Sequence, residues 1–262
     1  MNISLQRIYA ICMRLFKSSF HIARLFDDIY WPLMDILLIG MTGVWMESAQ
    51  TDAQPYVLAM VVGAVLWQFI TRPHLAISLS IFEELWARNF VNLFATPLNL
   101  TEWIIAAILL SIAKALFVFC LSGFFIWIIY AQNICSLGLI FFPFFFLMLL
   151  AGLTIGFFSA AALFVFGQKA QALVWAMCWL FAPFCGVYYP IHVLPKWMQM
   201  VGYTLPATYV LESMRSLVFT GHFSRKMLAT GLILNIVYLT LAIACFVYTF
   251  ERSRNKGLAR LE

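Results

Sequence analysis

The most constraining feature of this sequence is its long apolar runs. From Trp103 to Tyr130 the chain carries a single charged side chain, Lys114. A helix needs about twenty mainly apolar residues to cross a bilayer. In a water-soluble fold such a run would have to be buried on every face, so it predicts a membrane-spanning helix.

The composition extends this interpretation to the whole chain. Hydrophobic residues make up 64% of the 262 positions and charged residues 10%, whereas a soluble domain is roughly 45–50% apolar and about 25% charged. A soluble core could not enclose this much apolar surface, so lipid must cover much of it. The sequence predicts an all-α membrane protein that forms one domain over residues 1–262.

Basic residues are concentrated near the two ends of the chain. They are Arg7, Arg14, Lys17 and Arg24, and then Arg252, Arg254, Lys256 and Arg260. Because Lys and Arg near span ends mark the cytoplasmic side, both termini are predicted to be cytoplasmic. The net charge of +5 then reflects orientation, and no folded basic surface that could take nucleic acid as a partner is indicated.

Residues 1–28 have the pattern of an amphipathic helix. Leu5, Ile8, Tyr9, Cys12, Phe16 and Phe20 fall on one side, and Arg7, Arg14, Lys17, His21 and Arg24 fall on the other. This pattern predicts a helix in the membrane surface, with its basic face toward anionic lipid headgroups. A helix packed on a partner protein would show the same pattern.

The apolar runs predict about six spans. In chain order they are 29–47, 55–81, 103–130, a Phe-rich run that ends at Phe166, a run that ends near Tyr189, and 227–250. Turns are expected at 47–54, 131–136 and 167–169. Segment 83–102 is then cytoplasmic, and the Pro- and aromatic-bearing segment 190–226 is extracytoplasmic.

No catalytic motif is present in the sequence. The phosphate-binding string GxxxxGK[ST] is missing, so any ATP and Mg²⁺ would bind to a separate chain. The histidines and cysteines have no metal-site spacing, which predicts no metal centre and no other cofactor. The six cysteines, Cys135 among them, are expected to act mainly as small hydrophobic residues.

Three polar residues inside spans are candidates for a transport pathway. Lys114 lies near the middle of the third span, where a charge costs roughly 2.5–3.5 kcal/mol and usually faces the bundle interior or a cavity. Its expected partner is Asp35, the one acidic residue within a predicted span. Lys114 could equally form a structural ion pair. Arg72 lies nearer the inner surface and could snorkel.

The cytoplasmic segment 83–97 is predicted to form a short helix that ends at Pro97. Leu85, Trp86, Phe90 and Phe94 would form its apolar face. Such a helix could dock in a groove of a soluble partner or lie as a plain loop helix. The residues that could make this contact are Glu83, Glu84, Leu85, Trp86, Arg88, Asn89 and Phe90.

Four strings in order give the chain a family resemblance. They are Gly186-Val-Tyr-Tyr-Pro190, Leu194-Pro195-Lys196-Trp197, Leu205-Pro206-Ala207-Thr208-Tyr209, and Glu212 followed by Arg215. This succession resembles that of the ABC-2 type transporter permeases, and the Thr96-Pro97 step resembles their inner loop. Two details depart from the pattern: Leu205 stands where Asn is usual, and the inner-loop glycine is absent.

The resemblance implies a permease that works with a second permease copy, expected to be identical, and with two copies of a soluble ATP-binding subunit. Residues 1–28 would be the connecting helix, and 83–97 the coupling helix. Segment 190–226 would form outer re-entrant helices before the last span. The implied gate residues are Gly186, Tyr188, Tyr189, Pro190, Pro195, Trp197, Pro206, Tyr209, Glu212 and Arg215.

The expected function is export of a drug-like, lipid or glycan amphiphile across the inner membrane of a prokaryote, driven by ATP hydrolysis on the partner. The Phe-rich composition favours an apolar pathway, although Phe facing lipid explains it as well. The main alternative is a secondary transporter or channel without an ATPase. That alternative would require broken spans or acidic relays. A membrane enzyme is the third hypothesis for the function.

Overall fold

The computed structural model describes residues 4–19, 21–49, 56–131, 138 and 140–257. Within these ranges the regular structure is helical, which confirms the predicted all-α class. The α-helices are α1 (Leu5–Ser19), α2 (Ile22–Ala49), α3 (Tyr56–Trp86), α4 (Phe90–Ala95), α5 (Leu100–Tyr130), α6 (Phe141–Phe166), α7 (Gln171–Cys185), α8 (Lys196–Gly202), α9 (Pro206–Thr220) and α10 (Arg225–Asn255).

Five stretches among these residues are long and apolar enough to cross a membrane. They are Arg24–Ala49, Val57–Trp86, Leu100–Tyr130, Phe141–Cys185 and Arg225–Asn255. The fourth stretch contains both α6 and α7, joined by a 3-10 turn at Gly167–Ala170. The membrane architecture is therefore confirmed, and the number of six crossings stays a prediction.

The α6–α7 stretch folds back on itself. Ser159 of α6 and Cys178 of α7 each lie 3.0 Å from a ring nitrogen of His74 on α3. Both contacts lie at similar distances along the chain from the turn, so α7 runs antiparallel to α6. Gly167 permits the reversal, because its φ of 61° and ψ of −147° are accessible mainly to glycine.

Helix α3 is the centre of the bundle, with most of its apolar stretch buried. Glycine on α6 allows this helix to approach α3 closely. A Cβ at Gly152 would lie 2.6 Å from the carbonyl oxygen of Ile70, so a larger residue would push α6 away from α3. Helix α10 is fixed to α6 at two levels, by Asn235 to the Leu147 carbonyl and by Ser253 to the Phe164 carbonyl.

The bounds of α1 and α2 differ from the prediction. The interfacial helix expected over 1–28 ends at Ser19, and residues 22–28 belong to α2. The stretch that could form the first span therefore begins before residue 29, and Asp27 and Asp28 lie inside it. The prediction that Asp35 is the one acidic residue within a span was wrong.

Some predictions fall on positions outside the described ranges. These include residues 1–3, Phe20 and residues 258–262, most of the turns at 47–54 and 131–136, and Cys135. Between α7 and α10, two short helices, α8 and α9, occupy the segment for which the sequence predicted non-spanning helices.

Candidate functional site

Helix α1 packs along one end of the bundle, which we call the α4 end. Its buried side is formed by Ile8, Ile11 and Leu15. Glu102, in the first turn of α5, accepts a hydrogen bond from the backbone amide of Ser4 at 2.8 Å and forms an ion pair with Arg7 at 2.9 Å. These contacts fix the start of α1 to the start of α5.

The basic face of α1 also meets the end of α3. Arg14 pairs with Glu84 at 2.6 Å, and Arg24, at the start of α2, pairs with Glu83. Ser18 donates to Glu83 at 3.1 Å. Arg7, Arg14 and Arg24, which were predicted to face lipid headgroups, each bind a carboxylate of their own chain, and the position of this face relative to lipid stays a prediction.

The predicted coupling helix over 83–97 is interrupted. Glu83–Trp86 is the last turn of α3, and a tight turn at Ala87–Asn89 separates it from α4. Arg88 in that turn has a φ of 51°, which is uncommon for a residue with a side chain. The turn is fixed by Asn89, whose amide groups donate to the carbonyl and carboxylate of Glu84 at 3.0 and 2.8 Å. An unbroken helix would lack this anchored corner.

The corner buries some of the predicted coupling residues and exposes others. Leu85 and Phe90 are buried, and the Phe90 ring packs against Phe164 and Phe250. Trp86 is 65% exposed, and Arg88 is exposed beside it. The predicted common apolar face is thus divided, with Leu85 and Phe90 facing the bundle and Trp86 facing outward.

Four exposed side chains define what we call the corner surface. They come from the end of α3, the turn and the first turn of α4, and they are Trp86, Arg88, Val91 and Asn92. Because Glu84, Asn89 and Phe90 hold the corner to the bundle, a force applied at this surface would reach α1, α3 and α10 without first ordering a loop.

A second polar site lies within the spans. Lys114 on α5 donates to Asp28 on α2 at 2.8 Å, and Arg72 on α3 donates to the other oxygen of Asp28 at 3.1 Å. All three side chains are buried. The expected pairing of Lys114 with Asp35 was wrong, and the expectation that Arg72 snorkels to the surface was also wrong.

Asp35 joins this network through an amide. Gln68 donates to Asp35 at 2.6 Å and accepts from the Arg72 Nε at 3.1 Å. Asp28 and Gln68 were missed in the sequence. The signal for Asp28 was available, because it lies seven residues before Asp35 and so falls on the same face of a helix that starts at Ile22.

The opposite end of the bundle is closed by another network. Arg215 on α9 pairs with Glu212 at 2.7 Å and donates to the Gly186 carbonyl at 2.7 Å. Glu212 also accepts from the Ile191 amide at 2.8 Å. Burial lowers the pKa of Arg215 from its usual value, and the charge of Glu212 opposes this shift. Glycine suits position 186, where φ is 68°.

The other predicted gate residues form local contacts. Tyr189 donates to the Pro183 carbonyl and Tyr209 to the Tyr203 carbonyl, each at 2.9 Å. Pro195 caps α8 and Pro206 begins α9. Among the remaining three, Tyr188 and Pro190 are half-buried, and Trp197 is exposed and packs beside Phe184.

These two ends are far apart along α3. Gln168 donates to the Leu85 carbonyl near the corner surface, while the Val187 carbonyl lies next to Gly63. From Gly63 to Leu85 the helix rises about 33 Å at 1.5 Å per residue. The corner surface and the Arg215 network therefore lie roughly one bilayer core apart.

The ABC-2 type transporter family model matches residues 6–219. The chain belongs to this family. The match includes α1, the corner surface, the polar network and the outer segment up to α9, so this member of the family is the membrane permease of an ABC transporter. Among curated proteins, none matches the sequence significantly.

Membership also bears on chemistry. An ABC-2 membrane chain is a permease and not a catalytic subunit, in agreement with the prediction made from the sequence. Within the ranges that the structure describes, no group of three or more His, Cys, Asp or Glu side chains could hold a metal ion.

Proposed function

We propose that this permease exports an amphiphilic substrate outward across a prokaryotic inner membrane, using ATP and Mg²⁺ bound to a separate soluble subunit. The observation that carries the proposal is the corner surface. It combines an exposed Trp and Arg with an anchored backbone, and these are the residue types that most often dominate protein interfaces.

The coupling would act through the corner as a unit. Trp86, Arg88 and Val91 contact the ATP-binding subunit, while Glu83 and Glu84 hold the corner to the arginines of α1 and α2. Closure of two ATP-binding subunits then shifts the corner relative to the spans and biases the inward- and outward-open states. In this proposal Glu83 and Glu84 position the surface and do not contact the ATPase.

The working assembly is proposed to contain two identical permease chains and two ATP-binding subunits. Both permease termini and the corner surface lie on the cytoplasmic side, and the Arg215 network lies on the outer side. Accessibility of single cysteines tests this orientation. In intact cells an impermeant thiol reagent should label Trp197→Cys and not Arg88→Cys, whereas in inside-out vesicles the order should reverse.

The decisive experiment is purification of the permease co-expressed with a candidate ATP-binding subunit, which would be sought first among the neighbouring genes. Native mass measurement should show two chains of each, and the complex should hydrolyse ATP. Trp86→Ala with Arg88→Glu should lower ATPase capture at least tenfold. Trp45→Ala, which truncates a tryptophan that is 67% exposed on α2, is the matched control and should leave capture unchanged.

A secondary transporter or channel is the rival function. It predicts that the purified permease alone moves its substrate in liposomes, and that no ATPase is captured. That pair of results would overturn the proposal.

A further inference from the structure

A cavity of about 340 Å³ lies between α2, α3 and α7, next to the Gln68 bridge. One wall is aromatic, with Trp31 from α2 and Trp175 and Trp179 from successive turns of α7. The other wall is polar and includes Asp35 and Arg72. Ligand pockets commonly have volumes of about 300–1,000 Å³ and combine aromatic walls with a few placed polar groups.

The polar wall has acceptor capacity left for a ligand. Gln68 uses both ends of its amide, since it donates to Asp35 and accepts from Arg72 and Thr71. For Asp35, Gln68 is the donor found among the described residues, and it reaches Oδ2. A carboxylate can accept at both oxygens. Oδ1 is thus available to a donor that enters the cavity.

The charges of the wall already balance. Arg72 and Asp35 line the cavity with one positive and one negative charge, and behind them the ion pair of Lys114 and Asp28 adds one of each. They form one chain of contacts from Lys114 through Asp28, Arg72 and Gln68 to Asp35. A ligand with a net charge would add an uncompensated charge at membrane depth, which is strongly unfavourable.

We infer that this cavity binds an uncharged aromatic amphiphile that carries a hydrogen-bond donor. Its rings pack against Trp175 and Trp179, and its donor binds Asp35. The inference rests on the proposed export function, of which it names the substrate class. Binding to the cavity needs no ATP, so it can be measured on the permease without the ATP-binding subunit.

Two related fluorescent probes test the class. N-Phenyl-1-naphthylamine is uncharged and has one N–H donor, and 8-anilino-1-naphthalenesulfonate is its sulfonated, anionic counterpart. Titrated into the full-length permease in phosphatidylcholine nanodiscs, the uncharged probe should give saturable energy transfer from tryptophan. Its midpoint should be at least tenfold lower than that of the anionic probe. Tetraphenylphosphonium, an aromatic cation, should compete weakly.

Variants locate the site. Trp179→Leu should weaken binding of the uncharged probe about tenfold. Asp35→Asn gives the wall a net charge of +1, so binding of the uncharged probe should weaken and binding of the anionic probe should strengthen, each several-fold. Trp127→Leu is the matched control, because Trp127 is 63% exposed on α5 and does not line the cavity. Midpoints are compared, since removing any tryptophan changes the signal amplitude.

Two results would overturn the inference. Tighter binding of the anionic or cationic probe by the unmodified permease would contradict the uncharged class. Equal midpoints for Trp179→Leu and Trp127→Leu would show that the probe binds elsewhere. Capture of the ATP-binding subunit is measured separately on the same variants. Loss of capture with intact probe binding would refute the proposed coupling alone, and the reverse would refute the cavity alone.

Discussion

Lys114 and Asp28 form a buried ion pair, 2.8 Å long, that joins α5 to α2. The pair explains how a lysine is accommodated near the middle of a long apolar helix. Arg72 binds the second oxygen of the same carboxylate, so Asp28 connects three spans. Removing one partner of a buried ion pair costs much more stability than replacing both partners by apolar residues, because the remaining charge stays buried without a partner.

Asp28→Asn should therefore destabilise the permease more than Lys114→Met. The first change leaves two cations facing each other, at a cost of about 3–5 kcal/mol, whereas the second leaves Asp28 paired with Arg72. The stabilities of the two variants are compared by thermal unfolding in detergent, followed by size-exclusion chromatography of the fraction that stays soluble. The double variant should be more stable than Asp28→Asn alone.

Substrate-stimulated ATP hydrolysis distinguishes a structural role of Lys114 from a role in the transport pathway. If substrate-stimulated ATP hydrolysis per folded complex is the same in Lys114→Met as in the unmodified protein, Lys114 is structural only. Equal stability of Asp28→Asn and the unmodified protein would contradict the three-span role of Asp28.

The sequence was sufficient to predict the parts of the fold that depend on the length of an apolar run or on a succession of short motifs. Trp103–Tyr130 predicted α5 because one long apolar run permits few alternatives. The succession from Gly186 to Arg215 predicted a segment that the structure ties together by Glu212 and Arg215. In both cases the signal is local in the sequence.

The partners of charged residues were not predictable in the same way. Glu83 and Glu84 begin what looked like a free cytoplasmic helix, and the sequence contained no indication that Arg24 and Arg14 fold back onto them. Periodicity shows which face of a helix is basic and not which carboxylate it meets. The break at Arg88 was missed because a positive φ at a residue other than glycine has little sequence signature.

Charge exchange tests the contact between α1 and the corner. Arg14→Glu should weaken coupling because it places two carboxylates at the Glu84 position, and like charges at this distance repel. The ratio of substrate transported to ATP hydrolysed should fall several-fold. The combination of Arg14→Glu with Glu84→Arg should restore most of the ratio, since the pair is then re-formed in the opposite sense.

Lys17→Glu serves as the control for that exchange. Lys17 is exposed on the same helix and pairs with neither Glu83 nor Glu84. Reversal of its charge should leave the coupling ratio near that of the unmodified protein. A ratio that falls equally in both single variants would point to membrane-surface charge in place of the Glu84 contact.

Arg215→Met should loosen the segment between α7 and α9. It leaves the Gly186 carbonyl and one contact of Glu212 unsatisfied, and a hydrogen bond to a charged group contributes about 1.5–3 kcal/mol. Limited proteolysis of the purified complex should then cut between residues 186 and 196 faster, by roughly tenfold. Lys196→Met, at an exposed position of α8, should not change the rate.

Gly152→Ala should separate α6 from α3, because the added Cβ would lie 2.6 Å from the Ile70 carbonyl oxygen and 2.9 Å from the Ile70 Cα. Backbone atoms cannot rotate aside, so the helices must move apart, at a cost of about 1–3 kcal/mol or more. Gly123→Ala is the matched control, since a Cβ there meets nothing within 4 Å and alanine favours the helix. Thermal unfolding of the two variants in the same detergent should give a lower midpoint for Gly152→Ala, and an unchanged or slightly higher one for Gly123→Ala. Equal midpoints would mean that α3 and α6 are not packed backbone to backbone at this level.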